Sequence, residues 1–339
     1  MFEAVPIGMV IRGIMESIDS DSLGVAQASA RLAEVLEALG RVIVGQDEML
    51  VRLVVALAAR GHVLIEGVPG LAKTRAVKAL AHLVGLPFRR IQFTPDLLPA
   101  DLLGTQIYRP ITGDFVVRPG PIVSHVVLAD EINRAPAKVQ SALLEAMQEG
   151  RVTLGGEPID LPCPFWVLAT QNPLDQEGTH PLPEAQLDRF LMRLRIGYPD
   201  RQAERALLDL DSARDDRRLE ELPAVLDAAT LRRIQAIAAS VHVADVVKDY
   251  LVDLVRATRD PRGPTGFERG ASPRATLDLM RAAQAHALVR GRDFVTPLDV
   301  ARLLPDVLNH RVALGWEDRD DPHALDHRFD ALLRAVAVP

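Results

Sequence analysis

One eight-residue segment combines glycines, a proline and a Lys-Thr pair in the spacing of a phosphate-binding loop. Its residues are Gly67, Val68, Pro69, Gly70, Leu71, Ala72, Lys73 and Thr74. The backbone N–H groups of such a loop point inward, and the N-terminus of the following helix adds positive potential where phosphates sit. Lys73 would then bridge the β- and γ-phosphates, and the Thr74 hydroxyl would bind Mg²⁺. The alternative is a tight turn with a solvated lysine, since Ala72 stands where the general pattern has a glycine.

The residues on either side of this segment predict the elements that a phosphate loop requires. The apolar run 62–65 predicts a buried strand, and apolar residues recur at helical spacing over 75–84. Gly85 and Pro87 end that predicted helix. A strand, a loop and a helix therefore follow one another, which favours phosphate binding over the solvated turn.

Two adjacent carboxylates, Asp130 and Glu131, follow the apolar run 126–129. Ligands bind at the carboxyl ends of the strands in open α/β sheets, so this strand would carry both carboxylates to the phosphate site. Hydrolysis there needs an acid that orients a metal and a group that positions water. We expect Asp130 to hold Mg²⁺ through water and Glu131 to polarise the attacking water. The alternative is a solvated strand end with an acidic helix cap.

Two further polar residues are candidates for contact with the terminal phosphate. Asn172 follows the predicted strand 165–170, where its amide would bond the phosphate or the water, or else cap the chain before proline. Arg274 lies in the first turn of a helix that begins at Ser272 and Pro273. A cation there opposes the helix dipole but would clamp an anion, and the alternative is a solvated arginine.

Arg189 precedes the last predicted strand, 191–196. An arginine in this position is a candidate arginine finger that reaches a neighbouring chain's nucleotide. The alternative is an ion pair with Asp188 or Glu184, and the sequence does not separate the two.

Strands and helices alternate over residues 25–205, which predicts an αβα sandwich with a parallel sheet. The candidate strands are 62–65, 88–93, 124–129, 165–170 and 191–196. Hairpin insertions are expected near 94–123 and 151–164, where Pro and Gly interrupt the alternation. Helical stripes dominate residues 206–339, which predicts an all-α second domain, and residues 1–24 form an N-terminal extension.

The composition of the 339-residue chain limits its class. Hydrophobic residues form 48% and charged residues 25%, as in soluble globular proteins. The formal net charge is −7 without any block of Lys or Arg, which makes a nucleic-acid partner unlikely. Cys163 is the single cysteine, so no intrachain disulfide is expected, and the first residues lack the pattern of a signal peptide. No apolar run approaches the ~18 residues of a membrane span, so we expect a cytoplasmic protein.

With these residues in place, the chain resembles the MoxR family of AAA+ ATPases from about residue 30 onward. The resemblance rests on the segments 67–74, 129–134, 169–173, 182–190 and 272–274. Ala72 departs from the general phosphate loop but matches the pattern of this family. His180 is a departure, since an aromatic residue is expected at that position.

The resemblance implies a role for each candidate residue. The cofactors would be ATP and Mg²⁺, and the fold would be an AAA+ phosphate-loop sandwich followed by a helical lid. Asn172 would be sensor 1, Arg189 the arginine finger and Arg274 sensor 2, while Gly45 and Gln46 would lie near the adenine. The resemblance leaves open whether Arg274 acts on the ATP of its own subunit or on that of a neighbour.

The resemblance also implies partners. Similar proteins form hexameric rings with ATP between subunits, and many remodel client proteins with von Willebrand factor A-domain partners. Their work includes metal-cofactor insertion and complex maturation, so we expect a homo-hexameric ATPase with a protein client. One alternative is a nucleotide-gated assembly scaffold with incidental hydrolysis. Another is a DNA-linked AAA+ motor, against which the acidic balance argues.

Overall fold

The fold is described from a computed structural model of the chain. It describes residues 23–68, 70, 71, 73–172, 179–208, 222–260, 266–318, 321 and 323–339. The expected N-terminal extension falls almost wholly outside these residues. Pro69 and Ala72 of the phosphate loop also lie outside them, and so do residues 173–178 after Asn172.

The strands are short. In chain order they are β1 (Val63–Gly67), β2 (Phe88–Gln92), β3 (Gly104–Arg109), β4 (Asp114–Pro119), β5 (Val126–Asp130), β6 (Arg151–Leu154), β7 (Glu157–Asp160), β8 (Trp166–Gln171), β9 (Met192–Ile196), β10 (Phe267–Arg269) and β11 (Ala313–Leu314). Of these strands, β3, β4, β6 and β7 lie within the two predicted insertions.

The helices flank the strands and make up most of the C-terminal half. In chain order they are α1 (Val25–Val42), α2 (Asp47–Ala58), α3 (Lys73–Leu83), α4 (Pro99–Leu103), α5 (Ala137–Glu149), α6 (Glu184–Leu187), α7 (Arg201–Leu208), α8 (Ala228–Ser240), α9 (Asp245–Ala257), α10 (Pro273–Val289), α11 (Pro297–Leu308) and α12 (Ala324–Ala335). None of these helices combines the length and apolarity that crossing a bilayer requires.

Five strands form a parallel sheet in the spatial order β2-β5-β8-β1-β9. Alternate residues of each central strand face opposite layers: Val63 and Ile65 pack with α1, α2 and α3, whereas Leu64 packs with α5. This two-sided burial explains the continuous apolar runs of the sequence. The predicted α/β class with a parallel sheet and a helical lid is confirmed.

The carboxyl ends of β1, β5 and β8 meet at one edge of the sheet, which we call the phosphate edge. The opposite edge, where β1 and β9 begin at Val63 and Met192, we call the distal edge. The two edges are separated by a five-residue strand, or about 16 Å.

The helices after residue 222 do not build a core of their own. Leu231, Leu254, Leu279 and Leu304 belong to the cluster that also contains α1, α2 and α3. The antiparallel ribbon of β10 and β11 interrupts this helical region, which we expected to be all-α. Strands of three and two residues are too short to show a period of two in the sequence.

Helix α7 runs through position 205, where we expected the two domains to meet. The side chain of Asp200 accepts a hydrogen bond from the Ala203 backbone N–H at 2.8 Å and so stabilises the first turn of α7.

Two hairpins extend from the sheet. One consists of β3 and β4, paired from Gly104 with Pro119 to Arg109 with Asp114, and the other of β6 and β7. The first hairpin exposes apolar residues near its tip, since Ile111 is 99% exposed and Phe115 is 65% exposed. Several exposed apolar side chains on one hairpin are typical of a surface that contacts another protein.

Candidate active site

The phosphate loop begins at the end of β1 and enters α3. Gly67 is the last residue of β1, where a Cβ atom would lie 2.8 Å from the Ile196 carbonyl oxygen of β9. Gly70 has φ +87°, a conformation that side chains other than glycine rarely adopt. Helix α3 begins at Lys73, so its first backbone N–H groups belong to the loop.

Lys73 lies half-buried in this loop, and its Nζ donates a hydrogen bond to the Gly67 carbonyl oxygen at 2.6 Å. Burial lowers the pKa of Lys73, whereas the nearby charges of Asp130, Glu131 and Glu66 raise it. The Lys73 ammonium group has three N–H donors, and one of them binds the Gly67 carbonyl oxygen of its own loop. Its positive charge at this position can also bind a phosphate oxygen.

Asp130 ends β5 and is held from two sides. Thr170 Oγ1, on β8, donates to Asp130 Oδ1 at 2.6 Å, and this threonine is 2% exposed. Arg90 Nε and Nη2, on β2, both donate to Asp130 Oδ2, at 2.9 and 2.6 Å. Oδ2 of Asp130 therefore binds the positive charge of Arg90.

Glu131 follows in the left-handed conformation, with φ +59°. Its backbone N–H donates to Thr170 Oγ1 at 2.9 Å, and its carboxylate accepts from Gln92 Nε2 at 2.7 Å. Arg134 Nε lies 3.3 Å from the same carboxylate oxygen. A non-glycine residue in this conformation costs about 1–3 kcal/mol, and such strain clusters at functional sites.

These groups surround one cavity of about 400 Å³. Its lining includes Gly70, Leu71, Lys73, Thr74, Arg75, Arg90, Asp130, Glu131, Thr170, Gln171 and Asn172. The structure therefore brings Lys73, Thr74, Asp130, Glu131 and Asn172 together. The Asp130 carboxylate and the Thr74 hydroxyl both line this cavity. Hard oxygen donors of this kind are the ligands that Mg²⁺ prefers.

Sequence reasoning missed Arg90, Gln92 and the role of Thr170. Arg90 and Gln92 alternate on the edge strand β2, so they share one face, and Gln92 pairs in register with Asp130. The sequence shows that Arg90 and Gln92 alternate along one strand. It does not show that this strand lies beside β5 in the sheet. Without that strand order, no pattern connects Gln92 with the carboxylates.

The residues expected near the adenine lie beside a second cavity, of about 700 Å³. Gln46 lines it together with Ile196, which pairs in register with Gly67 of the phosphate loop. Gly45 has φ +74°, and a Cβ there would lie 2.4 Å from that of Ala203. Gly45 thus allows close packing against α7. Gln46 lines the second cavity, next to the phosphate loop.

Arg189 and Arg274 do not lie in the cavity of Lys73, because the fold places both at the distal edge. The Leu191 backbone N–H, two residues after Arg189, donates to the His62 carbonyl oxygen at 2.8 Å. Arg274 Nε lies 3.7 Å from Asp278, which binds Arg311, and Arg311 donates to the carbonyl oxygen of Phe190, next to Leu191. Both arginines are therefore separated from the phosphate loop by the length of β1.

The ion pairs considered as an alternative for Arg189 are not formed. Glu184 binds Arg269, and Asp188 lies 3.1 Å from Arg311 Nε. Among the described residues, Arg189 makes no side-chain hydrogen bond or ion pair, and this residue is partly exposed. The guanidinium remains available to a group outside this chain.

His62, at the distal edge, is held as a neutral imidazole. Its Nδ1 accepts from the Val167 backbone N–H at 3.0 Å, and its Nε2 donates to the Met147 carbonyl oxygen at 3.3 Å. The pKa of His62 is lowered to about 4: burial and, to a smaller extent, the charge of Arg274 lower it, and the bond to Met147 opposes them in part.

We expect this histidine to make the folded state sensitive to acid. Between pH 6.5 and about 4 the unfolded chain binds a proton that the folded chain excludes, so the free energy of unfolding falls as pH falls. The limit is about 3 kcal/mol, and the remaining solvent exposure of His62 reduces it. Denaturant unfolding at several pH values should show a shallower slope for His62→Gln. Parallel curves for the two proteins would contradict this assignment.

Known proteins show the same organisation. A family model described as "ATPase family associated with various cellular activities (AAA)" matches residues 62–192, and an AAA lid domain model matches 264–330. Chaperone MoxR1 of Mycobacterium tuberculosis is 46% identical over 322 residues, covering 93% of this chain and 84% of MoxR1. Protein MoxR of Methylorubrum extorquens is 35% identical over 296 residues, covering 81% and 85%.

A solved structure agrees with these sequence comparisons. A crystal structure of a Cytophaga hutchinsonii protein superposes with a TM-score of 0.83 at 40% identity, covering 98% of this chain and all of that one. The alignments to the MoxR proteins cover most of both chains, and the two family models match the residues around the phosphate loop and the lid. The chain belongs to the MoxR family of AAA+ ATPases.

Proposed function

We propose that this chain is an ATP-driven remodeller of client proteins that works in the cytoplasm as a homo-hexameric ring, with ATP bound between subunits. One observation carries this proposal: Arg189 and Arg274 lie at the distal edge, away from the phosphate loop of their own chain. Two arginines at that edge can serve a nucleotide only when a neighbouring subunit presents its own phosphate edge to them.

In this proposal the cavity of Lys73 binds the phosphates and Mg²⁺, and the cavity of Gln46 binds the adenine of the same ATP. The loop residues 67–74 and Lys73 would hold the phosphates, Thr74 and Asp130 would hold Mg²⁺, and Gln46 would border the adenine. The metal supplies positive charge that neutralises the phosphate oxygens. Arg90 binds Oδ2 of Asp130, so a metal held by Asp130 would share this carboxylate with the guanidinium.

The chemistry assigned to the chain's own residues is the positioning and activation of water. Glu131 is the general base, and Thr170 orients it through the Glu131 backbone N–H. Asn172, which lines the same cavity, would orient the terminal phosphate or the water. A neighbour's Arg189 and Arg274 would stabilise charge at that phosphate.

The client-binding element that we propose is the exposed tip of the β3–β4 hairpin. Ile111 is fully exposed there, and Tyr108 and Phe115 form an aromatic pair with ring centroids 5.2 Å apart. A relative of this chain carries the name chaperone, which supports a protein client. The partner would be a von Willebrand factor A-domain protein, and the work metal-cofactor insertion or complex maturation.

A nucleotide-gated scaffold is the second candidate. Both catalytic carboxylates are engaged by side chains of their own chain, Asp130 by Arg90 and Glu131 by Gln92. Such contacts make nucleotide binding a switch of this site even without repeated hydrolysis.

Recovery of a heat-aggregated luciferase separates the two functions. A remodeller should restore luminescence with ATP but not with a non-hydrolysable ATP analogue, whereas a scaffold should act equally with both. Ile111→Asp should lower the recovery by about tenfold, because it removes the exposed apolar anchor, and should leave ATP turnover unchanged. The exposed Val338 provides the matched control, since Val338→Asp should recover luciferase as the wild type does.

A further inference from the structure

A buried guanidinium connects the segment of Arg189 with the lid. Arg311 follows α11, and its side chain is 1% exposed. Its Nη2 donates to the Phe190 carbonyl oxygen and to Asp278 Oδ2, both at 2.7 Å, and to the Asp188 carbonyl oxygen at 3.3 Å. A desolvated charge is tolerated only with such partners, so these contacts fix the geometry around it.

The acceptors of Arg311 lie on both sides of Arg189. The Asp188 carboxylate forms an ion pair with Arg311, with Oδ1 3.1 Å from Nε, and its Oδ2 accepts a hydrogen bond from the Ser272 hydroxyl at 3.1 Å. The Phe190 carbonyl oxygen accepts from His310 Nε2 at 3.0 Å. Ser272 precedes α10 but makes no side-chain cap bond to that helix, because its hydroxyl is turned toward Asp188. The residues next to Arg189 are thus bound to the lid, while Arg189 itself projects free of such contacts.

Asp278 extends this connection to Arg274. Its side chain is 7% exposed and lies on α10, one turn after Arg274, whose Nε is 3.7 Å from Asp278 Oδ2. The same oxygen accepts from Arg311. Arg281 Nη1 contacts the other oxygen at 3.4 Å. One carboxylate therefore lies between Arg311 and the exposed Arg274.

We propose that Arg311 is a positioning residue that locks the segment 188–190 to α10, so that Arg189 and Arg274 reach a neighbour's nucleotide as one unit. This inference rests on the proposed shared site. A lysine cannot reproduce all the contacts of Arg311, because one ammonium group cannot take the place of Nη2 among its three acceptors and also contact the Asp188 carboxylate as Nε does. Any movement of α10 would be transmitted to Arg189.

The first test needs no nucleotide. In the nucleotide-free protein, Arg311→Lys should raise amide hydrogen exchange in segment 187–191 by about tenfold, while α3 keeps its protection. Exchange at wild-type rates in that segment would overturn the proposal. Arg292→Lys is the matched control, since Arg292 also binds a buried lid carboxylate, Asp299, but contacts neither 188–190 nor Arg274.

The second test measures turnover. Arg311→Lys should lower kcat by about 10- to 100-fold, as expected for a displaced catalytic group, with ATP affinity unchanged. Added to Arg189→Ala, it should cause a much smaller further loss than in the wild-type background, because the arginine finger that it positions is already absent. Additive losses would overturn the role of Arg311. If Arg189→Ala alone leaves kcat unchanged, the shared site itself fails.

A milder variant keeps the proposal testable if Arg311→Lys does not fold. Asp278→Asn removes the charged partner on α10 but leaves Arg311 its two carbonyl acceptors. It should raise exchange in 187–191 by a smaller factor, and it should again lower kcat by much less in the Arg189→Ala background than in the wild-type background. A folded Asp278→Asn protein with wild-type exchange in that segment would overturn the proposal.

Discussion

Replacement of Glu131 by glutamine is expected to lower ATP turnover by about 10²- to 10⁴-fold, the usual contribution of a general base. The glutamine keeps the shape of the side chain and an oxygen acceptor for Gln92, but it cannot take a proton. Binding should persist, because Lys73 and Thr74 are untouched. Nucleotide affinity, measured by equilibrium titration, should therefore match the wild type, while the rate of phosphate formation falls by the stated factor.

The control for this experiment is Glu149→Gln. Glu149 ends α5, lies outside the cavity and faces Arg151 at 3.8 Å. Its replacement removes the same charge without touching the cavity, so turnover should stay at the wild-type rate. Normal hydrolysis by the Glu131→Gln protein would contradict the assignment of the general base.

Replacement of Arg189 by alanine should have the other large effect, a loss of about 10³- to 10⁵-fold in turnover. The arginine is partly buried, and among the described residues its guanidinium has no hydrogen-bond or ion-pair partner, so its removal breaks no polar contact there. ATP affinity should change little, since the finger contributes mainly when charge develops at the terminal phosphate.

Arg256→Ala is the matched control for loss of a cationic side chain. Arg256 is exposed on α9, in a helix that does not carry any candidate site residue. Its replacement should leave turnover and ring mass unchanged. An Arg189→Ala protein with wild-type turnover would exclude the finger role, and one that fails to bind ATP would show that the arginine acts in binding instead.

The sequence predicted the local elements of the site well. Glycines at fixed spacing before Lys73, and an apolar strand ending in Asp130 and Glu131, are patterns set by short stretches of chain. The phosphate loop and the two carboxylates were expected to lie close together because ligands bind at the carboxyl ends of the strands in open α/β sheets. The fold class and the ATPase family were therefore accessible without coordinates.

Residues that act across strands were not accessible in this way. Arg90 reaches Asp130 only because β2 lies beside β5, and strand order is a long-range property. Arg311 looked like any arginine after a helix, yet it is buried against segments more than 30 residues away in sequence. The position of Arg274 at the distal edge likewise depends on how the lid packs on the sheet.

Mixed rings test the shared site most directly. Lys73→Ala subunits lack the lysine of the phosphate loop but keep the finger, and Arg189→Ala subunits have the opposite defect. In verified rings mixed at random in equal amounts, about one quarter of the interfaces pair an intact loop with an intact finger. Turnover should therefore recover toward about a quarter of the wild-type rate, although each variant alone is inactive. Mixed rings that stay as inactive as the two separate variants would contradict a site shared between subunits.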